Sequence, residues 1–208
     1  MKEIRNERPI GERDGGRLLL AAVTCGALWG LAETTLGFAL HLLSRLTSLP
    51  HLAGFFMFPV GFLFMLQAFR ATHRAQAAVL TAAVAAALKL ASAALPGVGL
   101  EFAANPALAI LSEGLIGFAL LRLMPRLVRQ PRPVVIPGVF AAGLIWRVLF
   151  LALLVLLPVQ KGILRKGPSA LASFLLLDSA LNSLLIAAAL RLGAGGARAP
   201  RLRRALLR

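Results

Sequence analysis

The run VVIPGVFAAGLIWRVLFLALLVLL, residues 134–157, carries a single formal charge, Arg147. The hydrocarbon core of a bilayer is about 30 Å thick and takes roughly 20 helical residues to cross. The run is long enough to do so. Backbone N–H and C=O groups in lipid must be paired within their own segment, which makes the run a helix. Arg147 falls near its middle. A charge at that depth costs roughly 2.5–3.5 kcal/mol on insertion scales, so it faces the inside of a bundle and marks a candidate site. One such span therefore implies other helices around it, and groups on them that answer the cation.

Five further apolar runs flank it: 18–43, 52–69, 75–95, 106–124 and 169–190. Gly, Pro and Arg clusters separate them, and the stretch Pro96 to Asn105, with Glu101, reads as a loop. Composition agrees with the runs. The 208 residues have a mean hydropathy of +0.81 and only 15% charged residues, against about 25% in a soluble domain. The expected fold is an all-α integral membrane protein, with six transmembrane helices in one bundle over residues 18–191. A polar tail at 1–17 precedes it and a basic tail at 192–208 follows. Six crossings leave both termini on one side. Of the 23 Lys and Arg residues, seventeen fall on that side and four on the other, so the positive-inside rule makes both termini cytoplasmic. The expected location is a bacterial-type inner membrane.

The net charge of +15 sits at the ends of the apolar runs, where it meets anionic lipid head groups. No nucleic-acid-binding pattern accompanies it, so lipid and not nucleic acid is the expected partner. The lone Cys25 excludes an internal disulfide and a metal–thiolate cluster. The first run is too long for a cleaved signal peptide. No H-E-x-x-H, G-x-S-x-G or P-loop pattern occurs, so we expect neither an enzyme nor a bound cofactor or resident metal.

What remains is the set of ionisable groups within the spans: Glu33, Lys89, Glu113, Arg147 and Asp178. At 1.5 Å per residue, Glu113 lies roughly 10 Å and Asp178 roughly 14 Å below the outer surface. All five fall between the midplane and that surface, the layer expected of a pocket opening outward. Steps of four residues align Trp29, Glu33, Gly37 and His41 on one helix face and Asn105, Ala109, Glu113 and Gly117 on another. Asn182 shares a face with Asp178. The neighbours of Lys89 and Arg147 along their own helices are small or apolar, so the acids are their expected partners. Trp29, Glu33, Lys89, Glu113, Arg147, Asp178 and Asn182 are thus the expected solute-binding residues. The competing reading is that the charges pair only with one another and hold the bundle together. A seam of small residues, Ala22, Gly26 and Gly30, allows close helix approach, either inside this bundle or against another membrane protein.

Six helices, about 200 residues, cytoplasmic termini, an outward pocket and the seam in AAVTCGALWG (21–30) together resemble the substrate-binding S component of energy-coupling factor (ECF) transporters. The runs GALWGLAETTLGFALHLL (26–43) and FFMFPVGF (55–62) are similar in flavour. The resemblance implies capture of a vitamin, a related small molecule or a metal ion. It implies docking through Ala22, Gly26 and Gly30 on a transmembrane coupling subunit, with ATP hydrolysis on separate ATPase subunits. The residues alone leave two other readings open, a stand-alone proton-coupled carrier and a non-transporting scaffold with structural buried charges.

Overall fold

A computed structural model of the chain describes residues 12–47, 52–95, 99–124, 135–157 and 163–196. The described residues form helices and turns without strands. Helix α1 runs over Glu12–Thr47, α2 over Leu52–Thr72, α3 over Gln76–Ala91, α4 over Leu100–Leu123 and α5 over Val135–Leu156. The last span is composite. A short α6 (Pro168–Ala172) passes through a π-helical turn, Ser173–Leu177, into α7 (Asp178–Gly196). Among the described residues, six helical segments are long and apolar enough to cross a membrane, the pattern of a multi-pass membrane protein.

Three boundaries differ from the sequence reading. Helix α1 starts at Glu12, so the end of the expected polar tail is helical, and the Asp14 carboxylate accepts from Arg74 Nη2 at 3.2 Å. That contact ties the start of α1 to the turn between α2 and α3. Helix α4 starts at Leu100 instead of Pro106 and takes in residues read as loop. Its buried stripe of Ala103, Ala107, Ile110, Gly114, Gly117 and Leu121 keeps helical spacing straight past Pro106. Packing along that stripe overrides the break that a proline signals in isolation. Helix α7 runs on to Gly196, into the expected basic tail. The remainder of both tails and the basic segment 125–134 lie outside the described residues.

Helix α2 occupies the centre. It touches α1, α3, α4 and α7, while α1, α3, α4, α5 and α7 follow one another around it. Phe58, Phe62, Met65, Leu66 and Phe69 of α2 form the middle of the apolar core. Helix α3 meets α1 through small residues: Ala78, Ala82, Ala85 and Ala86 are all buried. A Cβ added at Gly26 would lie 2.6 Å from both Thr81 O and Val84 Cβ, and one at Gly30 would lie 2.9 Å from Leu88 Cβ. Small residues let the two backbones come this close, and dispersion over that contact is what holds helices together in lipid. Large apolar side chains cover the outside instead, among them Leu28, Leu31, Phe38, Leu111, Ile145 and Leu184.

Candidate functional site

Two polar groupings lie inside the bundle. The first joins α1 to α3. Trp29 and Glu33 stand four residues apart, and the indole Nε1 donates to Glu33 Oε1 at 3.3 Å. The indole lies against Gly61 of α2, where any side chain would collide with it. Lys89, near the end of α3, donates from Nζ to the main-chain oxygen of Glu33 at 3.3 Å. The cation therefore meets a carbonyl and not the carboxylate that the sequence suggested.

The second grouping is built on Arg147 at the middle of α5, which is fully buried. Its Nη1 donates to Gly143 O at 3.0 Å, one helical turn back, and to Ser179 Oγ at 3.1 Å. Its Cζ lies over the rings of Trp146, Phe174 and Phe58, at 4.5, 5.3 and 5.7 Å from their centroids. Trp146 in turn stacks on Phe58 and meets Phe174 edge-on. The guanidinium is thus held by cation–π contacts, which strengthen when the cation is desolvated. Glu113 of α4 and Asp178 of α7 lie within electrostatic reach of it. Neither Arg147 nor Lys89 has a carboxylate oxygen of the described residues within 4.0 Å. Glu33 is in turn within reach of Glu113, which links the two groupings.

The π turn explains how α7 supplies this side. It inserts an extra residue just before Asp178 and sets Phe174 into the aromatic cluster, with Ser179 facing Arg147. Single π turns of this kind occur mostly at functional positions.

Most expected site residues are therefore buried in one core, but with different partners. Trp29, Glu33 and Lys89 satisfy one another. Glu113, Arg147, Asp178 and Asn182 do not: Glu113 Oε2, Arg147 Nε and Nη2, Asp178 Oδ2 and both polar atoms of the Asn182 amide are buried without a hydrogen-bond partner, as is Trp146 Nε1. Each such atom costs about 1–3 kcal/mol. These atoms are shielded from solvent, and residues 48–51, 96–98 and 158–162, which would border the outward pocket expected from the sequence, lie outside the described residues. An open cleft of about 350 Å³ lies at the other end of the bundle, lined by Asp14, Arg17, Thr72, His73, Arg74 and Gln76 among others. The seam Ala22, Gly26 and Gly30 is buried in the bundle, its two glycines against α3, the first of the two uses read from the sequence. The side chain of Glu101 lies outside the described ones.

Sequence reasoning missed the aromatic cluster and the π turn. Trp146 beside Arg147 and Ser179 beside Asp178 were signals for part of it, because polar and aromatic groups next to an intramembrane charge are its nearest available partners. Among the described residues no three of His, Cys, Asp and Glu gather as a metal-ligand set. No protein family, curated protein or solved structure matches the chain.

Proposed function

We propose that the protein binds a small polar solute within the membrane for uptake, as the S component of an ECF-type importer with cytoplasmic termini. One observation carries the reading: buried polar atoms on α4, α5 and α7, including three formally charged side chains, lack partners in the same core. A purely structural network closes its hydrogen bonds, because an open one is worse than an apolar core. A solute that supplies the missing partners removes that cost. The absence of a three-ligand group among the described residues favours an organic solute over a metal ion.

The α1–α3 grouping supports the scaffold reading for its own members, because Trp29, Glu33 and Lys89 are paired internally. Two roles then divide one core: a structural side on α1 and α3, and a solute side on α4, α5 and α7.

The test is retention of solute by the purified chain. Wild-type protein and Glu113→Gln are incubated in detergent with a bacterial metabolite extract, washed, and analysed by mass spectrometry. Wild type is expected to retain a solute that Glu113→Gln loses, with equal melting temperatures in its absence. If wild type retains nothing, or if the substitution unfolds the protein, the scaffold reading replaces the proposal. Uptake by the chain alone in liposomes would instead identify a proton-coupled carrier.

A further inference from the structure

The ways of approaching the Arg147 guanidinium are not equivalent. The group presents five N–H donors in one plane. The Nη1 corner is committed to Gly143 O and Ser179 Oγ. The rings of Trp146, Phe174 and Phe58 pack around the group, with centroids 4.5–5.7 Å from its Cζ. The edge that carries Nε and Nη2 makes no hydrogen bond, and both of these atoms are buried without an acceptor. Their N–H bonds run side by side in the guanidinium plane. That arrangement takes the two oxygens of one carboxylate, a bond pair that a lysine ammonium cannot reproduce.

The rest of the unpartnered set fixes the other end of a ligand. Asp178 Oδ2 and Glu113 Oε2 are buried acceptors, both carboxylates lie within electrostatic reach of Arg147, and neither closes on its free edge. They call for a donor. The Asn182 amide, with donor and acceptor both open, accommodates either. A solute that is only cationic would satisfy the acids and leave the Arg147 edge uncompensated beside a like charge, which is strongly unfavourable in a buried setting.

Resting on the uptake reading above, we infer that the solute is a small organic molecule bearing both a carboxylate and an amino group. Nε and Nη2 of Arg147 hold the carboxylate, and Glu113 and Asp178 receive the amino group.

The test uses the full-length chain purified in detergent, with the twenty standard amino acids as probes. Each is compared with its carboxamide, which keeps the amino group and removes the carboxylate charge. Thermal shift selects binders and titration calorimetry measures them. At least one amino acid is expected to raise the melting temperature, and its carboxamide to bind at least about tenfold more weakly. Arg147→Lys is expected to lose the acid by a similar factor while still unfolding cooperatively, at a lower melting temperature than wild type. If that variant does not fold, the acid–carboxamide comparison on wild type decides alone. The inference is overturned if no amino acid stabilises wild type, or if acid and carboxamide bind equally. It is also overturned if a cationic or neutral solute binds through Glu113 and ignores Arg147→Lys, in which case the uptake reading stands. Unfolding of Asp178→Asn together with no amino-acid binding would make Asp178 the structural partner of Arg147, and overturns it too.

Discussion

At Gly26 the space for a side chain is occupied by the main chain of the next helix. An added methyl would sit 2.6 Å from Thr81 O, and a carbonyl in a helix moves only with its helix. Alanine favours a helix over glycine by about 1 kcal/mol, but overpacking costs about 1–3 kcal/mol. Gly26→Ala is therefore expected to be destabilising on balance. Gly16, near the start of the same helix, has nothing within 4 Å of the added carbon. There the propensity term acts alone, and Gly16→Ala is expected to be neutral or stabilising by up to about 1 kcal/mol. Melting both variants in one detergent checks the pair, and equal shifts would contradict the α1–α3 packing. Trp29 offers a second check. Phenylalanine keeps most of its packing on Gly61 and removes the bond to Glu33, leaving a buried acceptor open at a cost of about 1–3 kcal/mol. A Trp29→Phe melting temperature equal to wild type would show that the bond contributes nothing.

At the scale of helices, much was legible because lipid permits so little. The run 134–157 could only be a helix, and one charge at its centre already required a bundle. The ends were not legible. Pro106 and the glycines before it read as a loop, yet the buried stripe from Ala103 to Leu121 carries α4 straight through them. The π turn was invisible, because SFLLLDS (173–179) contains nothing that separates a five-residue turn from a regular one. Its consequence is testable. Deleting Leu176, which is exposed, converts the turn to ordinary helix and rotates everything before it by about 100° relative to α7. Phe174 then leaves the ring cluster while Asp178 and Ser179 stay in place. With Trp29→Phe as background, Trp146 is the chain's sole tryptophan. The deletion is expected to change its emission while helical circular dichroism stays within a few per cent. Unchanged emission would mean that the turn does not set Phe174 on Trp146.

For the whole molecule, the question that decides how a solute arrives is which face of the membrane lies nearer the polar core. The Asp14–Arg74 contact marks one end of the bundle, and the start of α1, the end of α2 and the start of α3 meet there. Glu33 lies nineteen residues along α1 from Asp14, about 28 Å, and Lys89, beside it, is in the last turn of α3. The polar layer is thus displaced from the Asp14–Arg74 end. Seventeen basic residues on that side against four on the other would place it in the cytoplasm, with the core nearer the outer surface. The single native cysteine makes this simple to test. In a Cys25→Ser background, a cysteine replacing Ile4 or Ala205 is expected to react in intact cells with a membrane-permeant maleimide but not with an impermeant one. A cysteine replacing Ser48, between α1 and α2, is expected to react with both. The reverse pattern would invert the protein, put the polar core nearer the cytoplasm, and turn capture from outside into a role in export or in sensing the cell interior.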